Sequence, residues 1–308
     1  MSVARDAPGK TGSLAPLRIA TRSSALALAQ ARTVAAAIGD AELVAVSSGP
    51  GEPGDKARFV RGVESALLAG DAALGVHSAK DLPGEMSDDL ALVGVPERED
   101  PADVFVGAAA SLDELPEGAR VGTASLRRRS QLLAARPDLE VVELRGNVDT
   151  RLRQLSEGEL DGIVLAAAGL NRLGRGDEAG FRFSADVMVP APGQGALALQ
   201  ARSGDAAAAG AAAGISDREA LVEFTAERAA VSALGASCET PVGLCARHMD
   251  GTLAVAGYAG LPDGSEWVRD AVRGDPEQPA ALGLALAQRL MAAGAGDILA
   301  RARVEDQR

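Results

Sequence analysis

Residues 73–83 read ALGVHSAKDLP. The first four form an apolar run short enough for a buried strand. At its end His77, Ser78, Lys80 and Asp81 arrive within five residues, and Pro83 stops the run. Strand ends are where α/β proteins keep their chemistry, so the rest of the chain is placed relative to this stretch. A Lys beside an Asp offers a small ligand a donor and an acceptor, and Asp81 can stabilise a nearby cation. A solvated turn with a structural ion pair has the same local sequence.

Toward the N-terminus, residues 17–21 (LRIAT) read as a strand. Arg22, Ser23 and Ser24 follow, then an Ala/Leu-rich helix to about Ile38. Backbone N–H groups at such a helix start, helped by hydroxyls, make an anion site. Residues 42–47 are a second strand. Residues 48–57 (SGPGEPGDKA) lack periodicity and carry three Gly and two Pro, the composition of a loop. In 58–69 the apolar positions Phe59, Val60, Val63, Ala66 and Leu67 share one helical face, with Gly70 as the stop.

Toward the C-terminus, 90–95 is a strand, and ERED at 97–100 with Pro101 reads as a hinge out of the first domain. The pattern then restarts: strand 120–123, a turn at Ala124 and Ser125, and a helix over 126–135 that opens Leu-Arg-Arg-Arg. Strand 139–144 runs into Arg145, Gly146 and Asn147, and a helix over 148–155 carries Arg151 and Arg153. Strand 161–165 leads to a helical turn with Asn171 and Arg172. Two such α/β domains facing one another would hold a ligand between their helix N-termini. Residues 187–195 (VMVPAPGQG) read as the chain crossing back to the first sheet, followed by strand 196–200, and 204–214 as a linker or weak helix. Ser216 and Glu219 form a capping box for a helix to about Leu234. Beyond the loop GASCET at 235–240, three strands and two helices starting near 279 and 297 describe a small α+β unit.

Composition narrows the function. The chain has 308 residues, room for two or three domains, and a formal charge of −12, which repels a nucleic-acid backbone. No apolar run reaches the roughly 18 residues a membrane span needs, so neither nucleic acid nor a membrane is an expected partner. Residues 1–16 lack an apolar segment and read as a disordered leader rather than a signal peptide, which points to the cytoplasm. Between Arg120 and Arg153, however, eight Arg stand against four acidic residues, at strand ends and helix starts. An anion is expected there, although only three of 31 basic residues are Lys and the chain favours Arg generally. Two Cys and two His are too few for a paired zinc site, so no metal is expected. Cys245 falls inside a strand and reads as core. Cys238, on a loop among small residues, is open to covalent attachment. His77 reads as a packed strand-end histidine and His248 as a surface residue without a companion.

The strings LRIATRSSALALAQ, HSAKDLP, EREDPADVFV, VGTASLRRR, LRGNVDTRL, LAAAGLNRLG, PAPGQGALAL, TAERA and SCETPVG, in this order, resemble the porphobilinogen deaminase (hydroxymethylbilane synthase) family. The resemblance spans about residues 17–300. It implies two similar periplasmic-binding-protein-like α/β domains around a cleft plus a small C-terminal α+β domain. The expected divisions are 17–100 with 195–214, 101–190, and 215–308. It further implies a monomeric transferase of haem and tetrapyrrole biosynthesis. Such an enzyme joins four porphobilinogen molecules head to tail, with loss of ammonia, into hydroxymethylbilane, which uroporphyrinogen-III synthase uses next. The primer would be a dipyrromethane cofactor held by a thioether to Cys238. Asp81 matches the catalytic aspartate, which accepts from pyrrole N–H groups and stabilises the azafulvenium cation. The acetate and propionate arms account for the Arg distribution through bidentate pairing.

By motif match the cofactor would be held by Lys80, Ser78, Thr123, Ser125, Arg127, Arg128, Arg145 and Gly146, and the substrate by Arg22, Ser24, Arg151 and Arg172. Lys56 and Phe59 would belong to a lid. The 47–59 stretch is shorter than is usual in the family, Ala124 stands where Ser is common, and GASC replaces Gly-Gly-Cys. The rival readings are a two-domain organic-anion-binding protein, a thiol enzyme using Cys238 and His77, and a degenerate deaminase homologue with an impaired lid.

Overall fold

The computed structural model describes residues 16–47, 58–84, 86–237 and 240–305. Lys56, Cys238, the leader through residue 15 and the 48–57 loop lie outside the described residues, as does the side chain of Phe59.

The first sheet is built from β1 (Leu17–Arg22), β2 (Ala41–Val46), β3 (Leu74–Ser78) and β4 (Leu90–Gly94), with helices α1 (Ala25–Ile38) and α2 (Arg58–Leu68). The chain then leaves for β5 (Asp103–Gly107), β6 (Arg120–Gly122), α3 (Leu126–Ala135), β7 (Glu140–Val142), α4 (Val148–Ser156), β8 (Gly162–Ala166), α5 (Ala167–Arg172) and β9 (Phe181–Arg182). It returns through β10 (Leu197–Arg202) and α6 (Ala206–Ala213). Strand order is β2-β1-β3-β10-β4 in the first sheet and β7-β6-β8-β5-β9 in the second. In each, three parallel strands are followed by one antiparallel strand, β10 or β5, and an edge strand.

That antiparallel strand is, in both sheets, the one entered directly from a crossover segment. The two crossovers touch: Glu99 N–H donates to the Gly195 carbonyl at 3.2 Å. Gly195 has φ +86°, and a Cβ there would stand 2.2 Å from the Glu99 carbonyl oxygen, so the contact requires glycine. Residues 97–101, read as a hinge, are therefore one of two crossing segments, and β5 begins two residues later. Pro101 and the acidic run mask β5 in the sequence pattern, because it is a strand of only five residues.

The expected weak helix at 204–214 is α6, capped by Asp205 and anchored by Ala208 and Ala212 in the core under β3 and β10. The third unit follows: α7 (Arg218–Leu234), β11 (Val242–Met249), β12 (Thr252–Gly260), β13 (Trp267–Gly274), α8 (Pro279–Ala292) and α9 (Ala295–Glu305). Its three strands form an antiparallel sheet whose apolar face packs on α7, α8 and α9. The expected capping box is not the cap. Asp217 accepts from Ala220 N–H at 2.7 Å, while the Ser216 hydroxyl donates back to Ala212. A carboxylate one residue later wins the helix start, since an anion is the better partner for its N–H groups. Among the described residues no single helix is long and apolar enough to cross a membrane.

Candidate functional site

Strand β3 extends through Ser78, two residues further than its apolar run, and Ala79–Asp81 form a single 3₁₀ turn. This turn presents Lys80 and Asp81 to a cavity of about 440 Å³. Across it stand Ser125, Arg127 and Arg128 from the start of α3, and Arg151 from α4. A third wall comes from α7 and the segment after it, with Phe224, Arg228, Ala236, Ser237 and Thr240. Cys238 is thus flanked in sequence on both sides by cavity-lining residues. A smaller adjoining cavity of about 90 Å³ shares Lys80, Arg128 and Arg151 and adds Ser78 and Arg172.

The electrostatics turn on Asp103, at the start of β5 and fully buried. Its carboxylate accepts from Arg127 at 2.7 and 3.1 Å and from Arg128 Nε at 2.8 Å. Gln194, from the second crossover, donates to it at 3.1 Å. Burial alone would raise the Asp103 pKa, but Arg127 and Arg128 together hold it well below the usual carboxylate range. Both guanidiniums also donate to carbonyls, Arg127 to Val189 and Arg128 to Val164, each at 2.8 Å. One carboxylate thus fixes two cations and leaves the cluster positive.

Lys80 adds to the excess. Burial first, then Arg128, push its ammonium down to about 8 against the pull of Asp81 and Asp103. Burial, then Arg128, lower Arg151 to about 10, and burial lowers Arg172 against Glu99. Arg151 Nε is held by the Gly146 carbonyl at 2.9 Å and Arg172 by the Gly195 carbonyl at 2.8 Å. Neither Lys80 nor Arg151 has a carboxylate within ion-pair distance among the described residues.

The cavities therefore bring together Ser78, Lys80, Asp81, Ser125, Arg127, Arg128, Arg151 and Arg172. Thr123 is buried behind them and accepts from Ser125 N–H at 3.2 Å, shaping the turn before α3. Ser24 caps α1, while Arg22 is half-buried at the end of β1; neither lines these two cavities. Nor do Arg145 and Gly146. The Arg145 side chain is 72% exposed and pairs with Glu143 at 2.6 Å.

Gln30, which exchanges hydrogen bonds with Ser78, and Asp103, Gln194 and Arg228 also belong to the site's surroundings. All four stand inside the family-like strings, but nothing local separates them from surface polar residues. His77 is packed as expected: it meets Gln200 at 2.9 Å, and burial pushes it down to about 4 despite that bond. Cys245 is buried in β11, its thiol pushed up to about 12. His248 differs from expectation. It is half-buried, with Nδ1 3.5 Å from Glu223, a neighbour supplied by α7 and invisible along β11.

Fold and site define a class: an α/β protein whose two domains enclose a cation-rich cleft, walled on a third side by an α+β unit. Residues 17–210 match the family described as porphobilinogen deaminase, dipyromethane cofactor binding domain, and residues 221–292 match porphobilinogen deaminase, C-terminal domain. The porphobilinogen deaminase of Thiobacillus denitrificans is 47% identical over 80% of this chain and 81% of its own length. That of Thermus thermophilus is 44% identical over 92% and 98%. Among solved structures, the methionine-binding protein MetQ aligns with a TM-score of 0.41 at 16% identity, covering 63% of this chain and 87% of that one. The chain belongs to the porphobilinogen deaminase family.

Proposed function

We propose that the chain joins four porphobilinogen molecules head to tail into hydroxymethylbilane, on a dipyrromethane primer bound through Cys238. At each addition the substrate's methylene–nitrogen bond breaks, ammonia leaves, a bond forms from that methylene to a pyrrole α-carbon, and the α-proton is lost. After the fourth addition water would free the chain, its hydroxyl ending on the first-added unit's methylene and its proton replacing the broken bond to the carrier. When bound, the dipyrromethane supplies the first such α-carbon. The observation that carries this reading is that Asp81, the cation cluster and the residues flanking Cys238 share one cavity.

The residues present fit the primer. Lys80 and Arg151 are cations without a carboxylate at ion-pair distance among the described residues, suited to acetate and propionate arms. Gln194 Oε1 is buried without a partner among the described residues, an acceptor of the kind a pyrrole N–H requires. Asp81 is the carboxylate of the 3₁₀ turn. It stabilises the positive charge that develops on the substrate as ammonia departs. Arg127 and Arg128 enter the reaction already oriented, so no reorganisation is needed when an arm binds.

In this reading Arg22, Ser24, Thr123, Arg145 and Gly146 contribute as the cleft adjusts to a longer chain, and Lys56 and Phe59 cover it. The domains divide at 17–100 with 195–214, 101–190 and 215–308. The enzyme acts as a cytoplasmic monomer and passes its product to uroporphyrinogen-III synthase. The test is intact mass under denaturing conditions for wild type and Cys238→Ser. An excess of two porphobilinogen units less their ammonia, absent from the variant, is expected. A wild type that stays unmodified after incubation with porphobilinogen or hydroxymethylbilane overturns the reading.

A further inference from the structure

The third unit is fastened to the first domain and to the second by different means. Toward the first, Asp217 N–H donates to the Val95 carbonyl at 2.8 Å, and Phe224 packs with Ala79, Val95 and Ala196. Toward the second, β12 meets the back of α3, the helix whose start carries Arg127 and Arg128. The Tyr258 phenol, 3% exposed, stands 2.8 Å from the hydroxyl of the fully buried Ser130. Ser130, Leu133 and Ala134 share one face of α3 by helical spacing. The turn after β12 lies against the backbone there: a Cβ at Gly264 would stand 2.6 Å from the Leu133 carbonyl carbon. Gly260 leaves room for the hydroxyl pair, since a Cβ there would stand 2.6 Å from the Ser130 oxygen. Tyr258 also packs on Val189 of the second crossover, whose carbonyl accepts from Arg127 and whose N–H donates to Gln131.

Within the second domain Arg127 and Arg128 are fixed by Asp103. That carboxylate does not fix their distance from Ser237 and Thr240, which flank Cys238 on the third unit's side of the cavity. The Tyr258–Ser130 bond spans this boundary. Among the described residues each of these buried hydroxyls has the other as its hydrogen-bond partner, so a slip between the two surfaces would leave both unsatisfied. Apolar contacts alone would let the surfaces slide at smaller cost, because they have no preferred direction.

We infer that Tyr258 is a positioning residue: through Ser130 it holds α3 at a set distance from the third unit, and so keeps the Arg127–Arg128 pair in register with the residues that flank Cys238. The inference rests on the deaminase reading, in which the growing chain spans that distance. Tyr258 itself touches neither primer nor substrate and does not line the cavity.

The experiment compares wild type, Tyr258→Phe, Ser130→Ala and the double variant. Trp267→Phe is the control, because it alters the ring stacked 6.0 Å from Tyr258 and keeps the hydroxyl pair. Thermal unfolding establishes that each is folded, intact mass reports the primer, and initial rates give KM and kcat for porphobilinogen. A positioning role raises KM about 5-fold in either single variant, the equivalent of one net hydrogen bond, and changes kcat less. The double variant is then no worse than the singles, since one bond can be lost only once, and Trp267→Phe keeps the wild-type KM. If KM stays at the wild-type value in Tyr258→Phe and Ser130→Ala, whatever their melting temperatures, the pair serves packing alone and the inference falls. It falls equally if the KM effects multiply in the double variant, or if Trp267→Phe raises KM as much. A wild type that never carries the primer mass removes the deaminase reading and this inference with it, whereas a loaded wild type with unmoved variants removes this inference alone.

Discussion

Two buried clusters of guanidinium and carboxylate lie beside the crossovers, and their charges balance differently. In one, Arg98 faces Glu223 at 3.1 Å and Glu227 at 2.8 Å, and Arg247 reaches Glu223 at 3.4 Å from the rim. Backbone donors complete it: Gly193 and Ala246 N–H on Glu227 at 2.6 and 2.7 Å, and His248 N–H on Glu223 at 3.0 Å. Burial pushes the Glu227 pKa up, against Arg98 and those donors. In the other cluster a single Asp103 faces Arg127 and Arg128, with Lys80 nearby. The first cluster closes on itself and ties α7 to the crossovers. The second keeps a positive remainder and opens on the cleft. Excess charge, rather than the number of arginines, distinguishes the place that seeks an anion from the place that holds the fold.

The comparison breaks first at Arg98. Arg98→Ala leaves the buried Glu227 without a cation and Glu223 with only Arg247 at the rim, and urea unfolding is expected to show a loss of about 4 kcal/mol. Added carboxylate salts should not restore it, because the missing partner is a cation. Asp103→Asn leaves two cations without their carboxylate instead, at a smaller expected cost of about 3 kcal/mol, since each guanidinium keeps a backbone carbonyl and Asn keeps one acceptor oxygen. Acetate should recover part of that loss beyond what chloride does at equal ionic strength. Equal responses of the two variants to acetate would erase the distinction drawn between the clusters.

The same carboxylate has a pH signature. The Asp103 pKa is depressed, so its contribution is complete above the ordinary carboxylate value of about 3.9 and is lost as pH falls below it. Asp103→Asn should flatten that acid-side loss, measured as unfolding free energy against pH. A smaller effect concerns binding. Lys80, at about 8, loses its charge as pH rises through that value, so KM for porphobilinogen should climb several-fold over about two pH units. Lys80→Arg should hold KM level, and a wild-type KM that ignores pH there would take the Lys80 ammonium out of arm binding. The smallest effect is at the exposed Arg145–Glu143 pair. Arg145→Ala should change stability by less than about 0.5 kcal/mol, and a larger loss would mean that Arg145 has a structural partner beyond Glu143.

Much of this was legible along the chain. Short apolar strands, hydroxyl-bearing helix starts at Ser24 and Ser125, and arginines clustered where strands end all follow from local pattern and capping chemistry. Lys80 and Asp81 at the end of β3 were visible for the same reason, as were Arg127, Arg128, Arg151 and Arg172 as cations in need of an anion. What stayed hidden were the partners across distance. Asp103 reads as one more acid in EREDPAD, and its strand as the tail of a hinge, until β5 enters the middle of the second sheet. His248 reads as lone until α7 brings Glu223 beside β11.

The sequence by itself determined most of the elements, the family and the residue types available to the site, because most helix starts, strand lengths and turn residues are set by neighbours a few positions apart. Only the tertiary structure decided which charges are spent on one another and which remain for a ligand. Ion pairing in a low-dielectric interior depends on separations of a few ångströms between groups that are here 24 to 129 residues apart. Nothing in the order of the residues measures that distance.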